Sequence, residues 1–357
     1  MIVFEFLPAC HGDCFLVRWG NPERVMLIDG GPHGVFESVL RPRLMALPHP
    51  EGEVPTVDVL CISHVDDDHV TGAMQMLKEL VRAKNDTRTL PLDLRMIWFN
   101  SVDELIETVE SGLVTSVEAL VTAESADVAV SASYGQGRDV RSSVVVLGLA
   151  GNPPFCGPLT AGARCTLHNM QVTVVGPSTE AVSKLAEKWR ISVEARNTKA
   201  IAAAYIDQSV PNLSSIALHL CYGGRTALLS GDARGDHLLA GLEAVGLLTA
   251  EGTMHVDVFK LPHHGSEHNA GPLLFERIRA DHYVICADGV KHKHPSTATL
   301  EWLVNSRHKE DNYTIYLTHP IQAAQESLDR LHADRSFAVI VGTPCVEIPL
   351  AEAVLDN

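Results

Sequence analysis

The stretch Val57-Asp-Val-Leu-Cys-Ile-Ser-His-Val-Asp-Asp-Asp-His69 joins an apolar run to a dense group of acidic residues and histidines. The apolar run predicts a buried strand, and the helical spacing of apolar residues between 74 and 81 predicts a helix directly after the group. The group holds four metal-capable side chains, His64, Asp66, Asp68 and His69. Imidazole suits zinc and similar metals, whereas carboxylates suit harder divalent ions. This strand-to-helix junction therefore predicts a hydrolytic metal site.

A structural role is the alternative for the acidic residues of this junction. Acidic side chains often cap the N-terminus of a helix, so Asp67 or Asp68 could simply begin the helix that follows. The metal site is favoured because three later apolar runs also end in residues that bind metals, as a site at one edge of a sheet requires. They are 226–230 before Gly231-Asp232, 256–261 before Pro262-His263-His264-Gly265-Ser266, and 283–287 before Asp288-Gly289 and Lys291-His292-Lys293-His294-Pro295.

The order of the elements predicts an α/β fold, because strands occur in both halves of the chain and helices follow them. Residues 14–19 and 24–28 form one predicted hairpin, and 214–221 and 226–230 form a second. We expect residues from about 85 to 165 to form an elaboration between the two halves of this α/β pattern. It contains a strand at 96–99, a helix-like stretch at 103–124, an apolar run at 144–149 and a loop from 148 to 162.

Size and composition are those of an ordinary globular protein. With 357 residues, 46% of them hydrophobic, the chain can bury a large core. We expect one domain over residues 1–357, with the elaboration at about 85–165. No apolar stretch is long enough to span a bilayer, the eight cysteines lack paired CxxC spacing, and the start lacks a basic leader. A cytoplasmic location is therefore expected, without a membrane and with no inferable protein partner.

A net charge of −16 opposes non-specific adhesion to nucleic acid, because binding to phosphates relies on clustered Lys and Arg. The charge does not exclude a nuclease, since bound divalent ions are themselves strong local positive charges. Lys260, Lys291 and Lys293 also lie beside the candidate ligands in sequence.

Together these residues resemble the metallo-β-lactamase superfamily, an α/β fold built as a four-layer αββα sandwich with its active site at one edge. The HxHxDH motif of that superfamily stands here as His64-x-Asp66-x-Asp68-His69, with Asp in place of the second His. This form is similar to the hydrolase domain of the bacterial competence DNA-uptake channel and its stand-alone relatives. Further matching segments are Gly12-Asp13, Ile28-Asp29-Gly30-Gly31, Asn212-x-x-Ser215, Ser230-Gly231-Asp232, His263-His264-Gly265-Ser266 and His294-Pro295-Ser296.

The resemblance implies two neighbouring metal sites. Asp68, His69, Asp232 and His263 match one site, with Asp232 as the bridge, and His64 and Asp66 match the other. Where a third His normally completes that second site, this chain has Asn212. The harder ligands shift the preference toward manganese or magnesium, so we expect one or two divalent ions per chain, zinc or manganese.

The resemblance also assigns catalytic and substrate-binding candidates. Asp68 could both ligate a metal and orient the nucleophilic water, and His264 and His294 could protonate the leaving oxygen. Each histidine has a structural alternative: His264 could brace His263, and His294 could stiffen its loop. Asn212 and Ser266 are candidates for substrate binding, whereas Asp13 and Asp29 are expected to fix loops under the site.

Three classes of function stay open at this point. A metal-dependent phosphodiesterase or nuclease is preferred, with a phosphodiester substrate that includes nucleic acid as a candidate. Hydrolysis of a small ester, amide, thioester or lactam is the second class, since loops can change the substrate of one fold. A non-enzymatic binding or regulatory module is the third, disfavoured because the ligands of at least one metal site are complete.

Overall fold

The computed structural model describes residues 1–100, 128–149, 151–194, 214–333 and 335–353, together with positions 105, 107, 111 and 112. The described strands form two large sheets and one small pair. The strands are β1 Ile2–Phe6, β2 Phe15–Trp19, β3 Arg24–Ile28, β4 Thr56–Val57, β5 Val59–Ile62, β6 Asp93–Leu94, β7 Ile97–Phe99, β8 Arg164–Leu167, β9 Met170–Gly176, β10 Ala217–Tyr222, β11 Arg225–Leu229, β12 Met254–Lys260, β13 Ile278–Ile285, β14 Thr314–Leu317, β15 Ala338–Val341 and β16 Val346–Leu350.

The first sheet has the order β16-β1-β2-β3-β5-β7, and the second has the order β15-β14-β13-β12-β11-β10-β9-β8. Helices connect and cover them. They are α1 Arg41–Met45, α2 Asp67–Asn85, α3 Val128–Leu147, α4 Thr179–Glu194, α5 Gly235–Ala244, α6 Pro272–Arg277, α7 Thr297–Asn305 and α8 Gln322–His332, with a π-helical turn at Phe36–Leu40 and a 3-10 turn at Pro262–Gly265.

The two sheets pack face to face over a buried apolar layer. Phe4 and Trp98 from the first sheet share this layer with Val172 and Val258 from the second. On the outer face of the first sheet lies a second cluster, to which α2 contributes Leu77. On the outer face of the second sheet lies a third, shared by strands and by helices α5 and α7. The expected four-layer αββα arrangement is confirmed, because each sheet buries one face against the other sheet and one against helices.

Both predicted hairpins are present, as β2 paired with β3 and β10 paired with β11. Strand β3 pairs in parallel with β5, and β11, β12 and β13 are also mutually parallel. Parallel strands end at the same edge, so the loops that follow them meet there. This edge carries the candidate site.

The structure describes one part of the predicted elaboration and not another. The apolar run at 144–149 lies largely in the last turn of α3, where Val140 and Val144 are buried in the cluster that includes α2. Periodicity alone does not distinguish a short apolar strand from a buried helix segment. The helix predicted at 103–124 lies outside the described residues, apart from isolated positions. The single-domain assignment stays a prediction.

Among the described helices, none combines the length and the apolar character that crossing a bilayer requires. The cytoplasmic location stays a prediction.

Candidate metal centre

Loops at one edge of the two sheets deliver the polar residues of the site, which are buried apart from the half-buried His263. They contribute Asp13 after β1, Asp29 after β3, Ser63 and His64 after β5, Asp68 and His69 in the first turn of α2, Asp232 after β11, and His263 and His264 after β12. The predicted strand-to-helix junction is therefore where the site forms.

Glycines allow the N-terminal part of α2 to lie directly on the neighbouring loop. A Cβ added at Gly72 would lie 1.9 Å from the carbonyl oxygen of Gly30. The Gly30 amide donates to His69 O over 2.7 Å, and the Gly72 amide donates to Gly31 O over 2.9 Å. Because no side chain separates the two backbones, His69 reaches Asp29 at the end of β3.

Four imidazoles surround the carboxylate of Asp232. Its Oδ2 lies 3.8 Å from His64 Nε2 and 3.7 Å from Nε2 of both His263 and His264. Its Oδ1 lies 3.3 Å from His69 Nε2. Asp68 joins the group through its Oδ2, which lies 3.3 Å from His264 Nε2. Asp232 therefore occupies the central position that the sequence resemblance gives to a bridging ligand.

The opposite ring nitrogen of His69 and of His264 is held by a strong acceptor. His69 Nδ1 lies 2.8 Å from Asp29 Oδ2, and His264 Nδ1 lies 2.8 Å from the carbonyl oxygen of Cys286. Because both partners only accept hydrogen bonds, each Nδ1 is assigned the donating proton. Both Nε2 atoms then keep a lone pair directed at the centre when the ring is neutral.

The other two histidines are held in the same tautomer. Ser63 Oγ donates to Asp29 Oδ2 over 2.6 Å, so it accepts from His64 Nδ1 at 3.0 Å. Asn269 donates through Nδ2 to Asp232 O over 3.0 Å, so its Oδ1 accepts from His263 Nδ1 at 2.8 Å. Partners of this kind orient metal-binding histidines and fix which nitrogen is free to bind.

These residues fit a divalent metal ion. His64 Nε2, His69 Nε2, His264 Nε2 and Asp232 Oδ1 are buried and have no hydrogen-bond partner. Buried polar atoms are normally paired, so a group of ligand atoms that face one another without partners fits the binding of a cation. Four clusters have ligand atoms within 4.8 Å of one another: His64-His69-Asp232, Asp68-His69-His264, Asp13-Asp232-His264 and Asp13-Asp29-His69.

The carboxylates make the centre strongly attractive to positive charge. Burial lowers the pKa of His264, but Asp232, Asp13 and Asp68 outweigh it and raise the pKa to about 10. Burial raises the pKa of Asp68, but His69 and His264 outweigh it and hold that pKa well below its usual range. His64 is the exception, since burial and the nearby His69 lower its pKa to about 3. The same potential would stabilise a bound divalent cation.

Asp66 has a position different from its neighbours in the motif. It is the residue before α2, and its carboxylate accepts a hydrogen bond of 2.9 Å from the Asp67 amide. It is half-buried and lies outside the four clusters found among the described residues. Its pKa is raised by burial and by the charge of Asp68. The helix-capping role considered for this acidic turn therefore falls to Asp66.

The remaining candidates lie around the opening of the centre or outside it. The ring of His294 is half-buried, and its centroid lies 5.7 Å from that of His263. Ser266 is buried, and its Oγ accepts from the amide of His268, so its hydrogen bonds lie within its own loop. Asn212 lies outside the described residues.

A row of cationic or potentially cationic side chains extends from His294 to the surface. His292 stacks on His294 at 5.9 Å, and the His11 ring lies 6.0 Å from that of His292. The Lys291 ammonium donates to His11 Nε2 over 3.4 Å. We call His11, Lys291, His292 and His294 the rim row. Sequence reasoning missed His11, for which the adjacent Gly12-Asp13 segment was the available signal.

The sequence comparisons support the resemblance for the N-terminal part of the chain. The model of the metallo-β-lactamase superfamily matches residues 7–84, the segment that carries Asp13, Asp29 and the 64–69 motif. No curated protein matches the chain. The confirmed fold class and this match together indicate a fold of the metallo-β-lactamase type, whereas the relationship to the competence channel stays a prediction.

Similar solved structures include two proteins with low sequence identity. The metallo-β-lactamase fold protein YhfI from Bacillus subtilis is 8% identical, with 98% of this chain and 99% of that chain covered and a TM-score of 0.40. CmlA, a diiron β-hydroxylase from Streptomyces venezuelae, is 11% identical, with 98% of this chain and 54% of that chain covered and a TM-score of 0.46. This chain thus spans about half the length of CmlA.

Proposed function

We propose that this protein is a metal-dependent phosphodiesterase or nuclease. The observation that carries the proposal is the rim row, which joins a centre of four imidazoles and two carboxylates to the surface. In a chain with a net charge of −16, the Lys291 ammonium and the neighbouring imidazole donors of the rim row favour an anionic substrate. A phosphodiester carries the charge that such a row would bind.

The cofactor in this proposal is one or two divalent ions, zinc or manganese. His64, His69, His263, His264, Asp68 and Asp232 are the residues that would hold them. When bound, a divalent ion supplies Lewis acidity and lowers the pKa of the water that it polarises.

Asp68 and His294 are positioned to handle protons in this reaction. Asp68 stays ionised, so its carboxylate can accept a hydrogen bond from the attacking water and orient it. Burial and His263 lower the pKa of His294 to about 4, so its imidazole is neutral before substrate binds. The negative charge of a bound phosphodiester favours a proton on this ring, which could then pass to the leaving oxygen.

Hydrolysis of a small ester, thioester or lactam is the second candidate. The observation that favours it is the number of imidazoles facing Asp232, because a nitrogen-rich ligand set suits zinc. The group that reacts would then be uncharged, and the rim row would contribute little to its binding.

Hydrolysis of bis-p-nitrophenyl phosphate and of nitrocefin separates these candidates. Chelator-treated protein is loaded with Mn²⁺ or Zn²⁺ and compared with Asp232→Asn and with Asp281→Asn, a carboxylate that pairs with His255 on a distant surface. We expect phosphodiester hydrolysis by the wild type and by Asp281→Asn, and in Asp232→Asn a loss larger than the roughly 10–100-fold that follows from removing an outer partner of a ligand. Hydrolysis of nitrocefin alone would favour the second candidate. Equal hydrolysis by Asp232→Asn and the wild type would refute the assignment.

Single-stranded DNA, duplex DNA, RNA and cyclic nucleotides then identify the substrate within the phosphodiester class. A nuclease cleaves the polymers, whereas a cyclic-nucleotide phosphodiesterase acts only on the small substrates. The rim row leads away from the metal ligands, so we expect the polymers to be the better substrates.

A further inference from the structure

Lys260 is a lysine buried completely beneath the metal centre. It is the last residue of β12, and its side chain is 0% exposed. Its ammonium contacts the carboxylate of Asp13, donates to Gly231 O over 3.0 Å, and lies 3.9 Å from Asp232 Oδ1. Burial lowers the pKa of Lys260, but Asp13 and Asp232 outweigh it and raise that pKa. The centre therefore contains a cation of its own.

The position of this cation divides the four candidate metal clusters into two kinds. Two of them include Asp13, namely Asp13-Asp232-His264 and Asp13-Asp29-His69. The other two are built without it, namely His64-His69-Asp232 and Asp68-His69-His264. Ligand type alone does not separate the kinds, because each combines carboxylate with imidazole.

The positive charge of Lys260 distinguishes the clusters that include Asp13 from those that do not. An ion in either Asp13 cluster would share a carboxylate with the ammonium, at a place where both charges are removed from water. Like charges repel most strongly in such a buried site, because solvent does not screen them. In the two clusters without Asp13, the ligand nearest to the ammonium is Asp232, whose Oδ1 lies 3.9 Å away, whereas the ammonium contacts the carboxylate of Asp13 directly.

We propose that Lys260 acts as a fixed internal cation that excludes metal ions from the two Asp13 clusters and confines them to the two clusters built without Asp13. Asp13 is then a carboxylate with metal-binding capacity that the chain keeps occupied by its own ammonium. The proposal requires that this centre binds metal, and it is independent of which substrate the protein hydrolyses.

Substitutions that remove the charge at position 260 test the proposal through metal content. Wild type, Lys260→Met and Lys260→Arg are saturated with Mn²⁺ or Zn²⁺, freed of unbound metal by gel filtration, and analysed by elemental mass spectrometry. Lys260→Met should retain one more ion per chain than the wild type, because Asp13 becomes available. Lys260→Arg keeps the positive charge and should retain the wild-type number. Asp13→Asn in the Lys260→Met background should restore the wild-type number.

The outcomes that overturn the proposal are distinct from those of the activity assay. Equal metal content in folded Lys260→Met and wild type, with folding checked by circular dichroism, would show that the ammonium excludes nothing. Should Lys260→Met fail to fold, Asp13→Asn in the wild-type background gives the answer. Unchanged metal content in that variant supports the proposal, and loss of one ion per chain identifies Asp13 as a ligand and refutes it.

Discussion

Replacing Ser63 by Ala tests whether the tautomers of the histidines are fixed by their outer partners. Ser63 Oγ donates to Asp29 Oδ2 over 2.6 Å and accepts from His64 Nδ1 over 3.0 Å. The variant leaves His64 Nδ1 buried without this partner, while Asp29 keeps its bonds from the Ser63 amide and from His69 Nδ1. His64 is therefore the residue that mainly loses a hydrogen-bond partner in this variant.

The expected size of the effect follows from the cost of an unpaired buried group. Leaving His64 Nδ1 without its acceptor should lower the free energy of unfolding of the metal-free protein by about 1–3 kcal/mol. In addition, the ring becomes free to place its proton on Nε2, where it blocks metal binding. Loss of a partner of this kind typically weakens metal affinity by about 10–100-fold, which is about 1.4–2.8 kcal/mol.

Urea denaturation of the metal-free protein measures the first quantity, and competition with a chromophoric chelator measures the second. Ser327→Ala is the matched control, because Ser327 is also buried but lies in α8, where its Oγ accepts from Arg330. The control should change the free energy of unfolding only, and leave metal affinity unchanged. Metal affinity in Ser63→Ala within about twofold of the wild type would refute the reasoning, because the predicted loss is at least about tenfold.

Three further predictions concern packing, pH dependence and substrate binding. Gly72→Ala should destabilise the protein by about 1–3 kcal/mol in urea denaturation, because the added Cβ would lie 1.9 Å from Gly30 O. The control Gly137→Ala should be neutral or stabilising, because a Cβ at this position of α3 would meet no other atom. Burial lowers the pKa of His219 to about 4, so the unfolded chain takes up this proton first as the pH falls from 6.5. The resulting loss of about 3 kcal/mol of stability between pH 6.5 and 4 should be absent in His219→Gln, and identical pH profiles would contradict the prediction. Lys291→Gln should raise the KM for a phosphodiester about 2–5-fold in steady-state kinetics, whereas Lys309→Gln, at an exposed position, should leave it unchanged. Equal KM values for Lys291→Gln and the wild type would exclude a role of Lys291 in binding.

Much of the site was predictable because its residues follow strands. A strand that ends in a group of polar side chains delivers them to one edge, and parallel neighbours end at that same edge. This reasoning identifies the 64–69 motif, Gly231-Asp232 and His263-His264 as parts of one site, and the structure brings them together around Asp232. The helix predicted after the motif is present as α2.

The positions of His263 and His264 show where sequence reasoning ends. The sequence predicts His263 as a ligand and His264 as a proton donor, with a brace for His263 as the structural alternative, because two adjacent residues on a strand point to opposite faces and would not both face one ion. In the structure both residues have positive φ, 46° for His263 and 56° for His264. This unusual left-handed turn places both Nε2 atoms 3.7 Å from Asp232 Oδ2. A sequence gives little warning of such a conformation in non-glycine residues.

The outer partners of the histidines were also not predictable, for a different reason. Ser63 and Asn269 are ordinary residue types, and their roles depend on which ring nitrogen lies beside them after the chain has folded. Ser63 had one local signal, its place between a buried strand and His64. Asn269 had none, because its contacts to His263 and Asp232 are set by the loop geometry.

The balance of charge in the buried centre connects the outer partners with the metal. Asp13, Asp29, Asp68 and Asp232 bring four carboxylates to the centre, and Lys260 supplies one ammonium. Buried charges are retained only when they are paired or bind metals. Lys260 pairs with Asp13, and Asp29 is satisfied by the Ser63 amide, Ser63 Oγ and His69 Nδ1. Asp68 and Asp232 lack comparable partners and lie beside the unpaired Nε2 atoms, so a bound divalent ion would offset part of the negative charge that the carboxylates bring to the centre.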